Sequence, residues 1–150
     1  MRKGITTTQI NQKLKPAIDL CQPVRLFLLM CLLSIGSAGS AADYYWVGGT
    51  GNWSDIANHW ATSSGGSSFH GQVPGSDDDV FFDANSFTAP GQVVTIDQTI
   101  VFFHDMDWTG AAFLPKLSAP SISLELNIFG SLTLIPAMNF NTKGSWVFCQ

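Results

Sequence analysis

Cysteine is nearly absent where it could matter. Of three cysteines, Cys21 and Cys31 precede Asp43, and only Cys149 lies beyond it. One cysteine cannot close an internal disulfide, so any fold here must stand on its apolar core. Cations are equally scarce. Past Ala42 the only lysines or arginines are Lys116 and Lys143, against nine aspartates and Glu125, which gives that region a net charge of −8. A surface so poor in Lys and Arg has no footprint for a phosphate backbone, which excludes nucleic acid as a partner class. Helical periodicity is missing after Ala42, as are G-x-S-x-G, P-loop and H-E-x-x-H strings. His59, His70 and His104 do not stand at metal-ligand spacing.

The cations that do exist crowd the start. Arg2, Lys3, Lys13, Lys15 and Arg25 precede an unbroken apolar run at 26–35 (LFLLMCLLSI), and small residues follow at 36–42 (GSAGSAA). That order is the leader, hydrophobic segment and cleavage region of a secretory signal. So short an apolar run cannot span about 30 Å of hydrocarbon, so a retained membrane anchor is not expected. Ser40 and Ala42 place the first-choice cleavage after Ala42, with Ala38 as the alternative. The expected organisation is a signal peptide over 1–42, an aromatic, glycine-rich cap and loop over 43–75, and a β-rich segment over 76–150.

Residues 43–60 (DYYWVGGTGNWSDIANHW) hold five large aromatics, three glycines and two asparagines. Residues 44–47 have strand composition, and the glycines and Asn52 then supply a tight turn. Further strands are expected at 79–83, 92–97, Ile100–Phe103, 106–108, 122–129, 131–135 and Ser145–Phe148, punctuated by glycine and proline. Alternation puts Val80 and Phe82 on one face of their strand and Phe81 on the other. The chain therefore reads as all-β. Apolar segments recurring at about 20-residue intervals suit a β-solenoid, like a right-handed parallel β-helix. Turn signals about every 8–12 residues suit a β-sandwich as well.

Three constellations could carry function. Asp77, Asp78, Asp79 and Asp83 crowd four carboxylates into one short stretch, and Asn85 adds an amide oxygen. Hard cations take about six to eight oxygens, so Asp78, Asp79 and Asp83 are candidate calcium ligands; Asx hydrogen bonding in a turn is the competing account. Trp46, Trp53 and Trp60 could stack on sugar rings. They could equally plug the open end of a β-structure, which otherwise exposes core and unpaired strand edges. Asp105 and Asp107 share a strand face, but no second convergent element identifies an acid–base pair.

A resemblance adds to this reading. Tyr45-Trp46-Val47-Gly48-Gly49-Thr50-Gly51-Asn52-Trp53-Ser54-Asp55 and His59-Trp60 are followed in order by Val73-Pro74, by Asp78 to Phe87, by Val94 to Asp97 and by Met106 to Gly110. This series resembles the mature N-termini of very large secreted surface proteins of Bacteroidota-type bacteria. The resemblance implies a β-solenoid or β-rich stalk, type IX export across the outer membrane, and a role in adhesion or gliding. Surface polysaccharide, other cell-surface components and the export machinery are the partners it implies. A non-catalytic, adhesin-like surface or extracellular protein is thus the expected function. A carbohydrate-binding β module and a β-helix polysaccharide-degrading enzyme are the alternatives. The segment Ser145–Phe148 reads as an incoming strand with Trp146 and Phe148 on one face, from which a chain cut short at its C-terminus is expected.

Overall fold

The computed structural model describes residues 40–149. The signal segment and a cleavage after Ala38 lie outside the described residues. Those described form twelve strands and no helix: β1 Asp43–Trp46, β2 Gly51–Asn52, β3 Trp60–Ala61, β4 Asp79–Phe81, β5 Val93–Thr95, β6 Ile100–Phe103, β7 Met106–Asp107, β8 Lys116–Ala119, β9 Glu125–Ile128, β10 Leu132–Thr133, β11 Asn139–Thr142 and β12 Ser145–Phe148.

They pair into three sheets. The first runs β10-β7-β4-β1-β3, the second β11-β8-β5-β2, and the third β12-β9-β6. Apart from β3, each strand pairs with the one three elements along, and every such pairing is parallel. Parallel neighbours need long crossovers. Here the other two sheets form the crossover, so each pass of the chain from β4 onward contributes one strand to each sheet, whereas the first pass gives β1 and β3 to the first sheet and β2 to the second. In the first sheet Val80 pairs with Met106, and Met106 with Leu132. In the second, Val93 pairs with Lys116, and Lys116 with Asn139. In the third, Ile100 pairs with Glu125, and Glu125 with Ser145. The first pass is longer, with Tyr44 opposite Val80 and Gly51 opposite Val94. Its extra length forms β3, which pairs antiparallel with β1 and covers that edge of the first sheet.

Alternation turns every second side chain inward. Tyr44, Val80 and Met106 stack in the first sheet, Val94 and Leu117 in the second, Val101 and Leu126 in the third, all buried. The next inward positions repeat the pattern, with Trp46, Phe82 and Trp108 in one file; the Phe82 and Trp108 rings stack at 3.8 Å. In the last pass the same files are more exposed, with Phe140 at 40% and Phe148 at 56%.

Several expectations are adjusted. The strand expected over 122–129 shrinks to β9: Ile122 is 80% exposed, and Ser121 Oγ accepts the Ser123 N–H in a turn. Strands β8 and β11 add to those expected from composition. Pro115 and Pro120 flank β8, and β11 reads Asn-Phe-Asn-Thr, which is poor strand composition. Parallel ladders to β5 and β8 supply the hydrogen bonds that intrinsic preference does not. The repeat is also uneven: the step from Met106 to Leu132 in the first sheet is longer than the step from Glu125 to Ser145 in the third.

Candidate functional site at the aromatic edge and acidic corner

Strand β1 ends at Trp46, and the chain turns through Gly48 and Gly49 at φ of +81° and +75°. The Trp46 indole N–H donates to the Gly49 carbonyl at 2.8 Å inside that turn. The Trp53 backbone N–H donates to Thr95 O, so Trp53 enters the core beyond β2 in the file of Ile96. Trp60 lies between them, edge-on to Trp46 at 5.0 Å and to Trp53 at 4.6 Å, and its indole N–H donates to Trp53 O at 2.8 Å. All three are 0% exposed. None offers a ring face to solvent in this fold; of the two accounts given for them, burial favours the plug, with their rings closing the core beneath β3.

His59 completes the aromatic edge. Its ring stacks on Trp46 at 4.4 Å, the two planes nearly parallel, and Nδ1 lies 2.6 Å from Val47 O. A carbonyl can only accept, so the Nδ1 nitrogen carries the proton. The imidazole lies directly over Gly51, where any Cβ would overlap it. The glycine of the G-N-W string is therefore a packing requirement.

The acidic corner runs along the N-terminal ends of the first sheet's strands. Asp43 and Asp79 are paired across β1 and β4. Asp79 Oδ1 accepts the Asp105 N–H at 3.0 Å, and Asp105 Oδ1 accepts the Ser131 N–H, each reaching the next pass of the chain. His104 Nδ1 lies 3.0 Å from Asp79 Oδ1 and 3.4 Å from Asp105 Oδ1. A side chain at Gly130 would collide with Asp105 and His104. A proton on Nδ1 thus bridges two carboxylates that would otherwise only repel. From the sequence Asp105 had no convergent partner; the partner, Asp79, comes from the preceding pass.

The carboxylates expected to bind calcium each accept backbone N–H groups. Asp78 Oδ1 accepts the Ala42 N–H at 3.0 Å and Oδ2 the Gly75 N–H at 2.8 Å. Asp83 Oδ1 accepts the Asn85 N–H at 2.8 Å, in an Asx turn. Asp78 and Asp83 therefore serve separate turns, while Asp79 reaches the next pass. Among the described residues they are not gathered into one donor set; Asp79 groups with His104 and Asp105 instead. Asp107 likewise accepts the Thr109 N–H at 2.7 Å.

Beside the corner lies an open groove of about 560 Å³, lined by Ala42, Tyr44, His70, Gln72, Asp77 and Asp78 among others. His70 stacks on Tyr44 at 3.7 Å, and its Nε2 lies 3.0 Å from Asp43 O. Burial and then the Asp78 charge hold the Tyr44 phenol above its ordinary pKa; burial and then Asp43 do the same for Tyr45.

No family model, curated protein or solved structure matches the chain.

Proposed function

We propose that this chain is the capped N-terminal end of a right-handed parallel β-solenoid in an exported, adhesin-like surface or extracellular protein, and that its role is structural rather than catalytic. The observation that carries the reading is the parallel pairing of every strand but β3 with the one three elements along, in all three sheets. That is how a solenoid stacks successive coils. The antiparallel strand β3 and the buried tryptophans fill the place of its cap. Type IX export, gliding or adhesion, and surface polysaccharide as partner follow from the sequence resemblance and belong to the same proposal. The carboxylates accept backbone N–H groups at turns, which suits a scaffold better than an active site. The sandwich alternative would need facing antiparallel sheets. A carbohydrate-binding role would have to use aromatics other than the buried tryptophans, such as Tyr45 and Phe81, half-buried and stacked at 5.0 Å, or the exposed pair Phe102 and Phe129.

The test is a native-host strain carrying an epitope-tagged chromosomal copy, compared with a deletion strain. Tag accessible to added protease on intact cells, with surface attachment reduced in the deletion strain, is the expected result. A tag confined to the cytoplasm would overturn the reading.

A further inference from the structure

Ala42 stands one residue before β1, where the sequence expects a signal to be cut away, yet the fold holds it from three directions. Its N–H donates to Asp78 Oδ1 at 3.0 Å. Its carbonyl accepts the Asp79 N–H at 3.0 Å, which carries the β1–β4 ladder one step past the Asp43–Asp79 pair. Its methyl packs against the core. Asp78 is only 9% exposed, and its carbonyl accepts the His104 N–H at 2.7 Å while its Oδ2 holds Gly75. The Asp78 carboxylate is therefore the joint between the entering chain, the turn before β4 and the acidic corner. Removing Ala42 would strip a near-buried carboxylate oxygen and the Asp79 N–H of their partners, and buried groups left unpaired are costly. Ser40, further upstream, lines the same groove as Tyr44 and Asp77.

We propose that signal cleavage falls N-terminal to Ala42, so that Ala42 is part of the mature domain and Asp78 is the side chain that receives it. This rests on the export reading above, and it reverses the cleavage order that the sequence alone favours. Of the upstream bonds that meet the small-x-small requirement, two follow an alanine: after Ala38, with Gly36, and after Ala41, with Gly39. In either case the peptidase adds water across the peptide bond, leaving a carboxylate on the leader and an α-ammonium on the mature chain. A cut after Ala38 preserves the Ala42 amide. A cut after Ala41 sets the new ammonium against the Asp78 carboxylate, in a charge-assisted contact. A cut after Ala42 removes both of that residue's hydrogen-bonding groups.

The test is intact-mass and N-terminal sequencing of the full chain, expressed with its leader in a Gram-negative host and recovered outside the cytoplasm. An N-terminus at Gly39 or Ala42 is expected. A product starting at Asp43 would overturn the proposal and leave the export reading standing. A chain retained in the cytoplasm and still starting at Met1 would overturn the export reading and this inference with it. Amide hydrogen exchange on the recovered protein gives a second readout. The Asp79 N–H should exchange slowly, and Asp78→Ala should speed it by about tenfold or more. Exchange of Asp79 at the rate of a free amide in the unsubstituted protein would also overturn the proposal.

Discussion

Replacing Trp60 with alanine removes the side chain on which the aromatic edge converges. Trp60 is 0% exposed, meets Tyr44, Trp46, Trp53 and Phe82 at ring distances of 6.0, 5.0, 4.6 and 6.1 Å, and donates to Trp53 O. Emptying a buried aromatic site costs about 3–5 kcal/mol. The lost hydrogen bond leaves the Trp53 carbonyl to find another donor, at about 1 kcal/mol. About 4–6 kcal/mol is a large share of the ~5–15 kcal/mol that holds a typical domain together. At about 4–8 °C per kcal/mol for a domain of this size, the melting temperature should fall by about 15 °C or more, or the protein should not fold at all. Trp60→Phe keeps most of the ring volume and should lose less than half of that. The assay is thermal unfolding followed by far-UV circular dichroism, with near-UV signal reporting the tryptophan cluster. A surface aromatic kept for ligand stacking would shift stability by only about 0.5 kcal/mol. A Trp60→Ala protein melting within about 2 °C of the parent would therefore refute the packing argument.

Gly51→Ala should cost about 1–3 kcal/mol because its Cβ overlaps His59, whereas Gly71→Ala, with open space around it, should be neutral in the same melting assay. His104→Ala should lower stability by about 1 kcal/mol or less, because the pair with Asp79 is part-exposed; the loss should shrink in high salt, and salt-independence would count against the bridge. Melting temperatures in excess calcium and in chelator should coincide, since Asp78, Asp79 and Asp83 do not share a donor set; a rise of several degrees in calcium would reinstate that site. Both tyrosine pKa values are raised above 10.0, so the folded chain keeps protons that the unfolded chain loses. Stability should be complete below that pH and decline as pH rises through the raised values, with phenolate absorbance appearing at higher pH in the folded chain than in the unfolded one. Ordinary tyrosine titration with the fold intact would contradict this.

Strand positions were legible where alternation was strong. Val80 and Phe82 against Phe81, and Val94 and Ile96 in their strand, fall on the faces that period 2 assigns. The strands that composition does not signal, β8 and β11, owe their form to the ladders beside them, and Lys-Leu-Ser-Ala or Asn-Phe-Asn-Thr carries little local preference. The burial of the tryptophans was legible only as one of two options, because an aromatic plug and an aromatic platform have the same composition. The acidic corner was out of reach for a different reason. Asp79 and Asp105 meet only once the length of the pass between β4 and β7 is known, and an irregular period cannot be counted from letters alone.

The acid excess and the scarcity of lysine have a common physical account in these turns. Nine of the ten acids beyond Ala42 are aspartates, and the shorter side chain is the one that reaches a backbone N–H close by in the chain. Asp78 reaches Gly75, Asp83 reaches Asn85 and Asp107 reaches Thr109 in this way. Asp79 and Asp105 use the same reach vertically, to the amide one pass on, and Asp97 holds the Ser54 N–H and hydroxyl. Corners between short parallel strands leave amides that no ladder satisfies, and a carboxylate accepting such an amide is stabilised by it without a cation. Backbone N–H groups therefore meet these carboxylates where lysine and arginine are scarce. A glutamate at Asp79 or Asp105 would carry its oxygens one carbon too far for that vertical step.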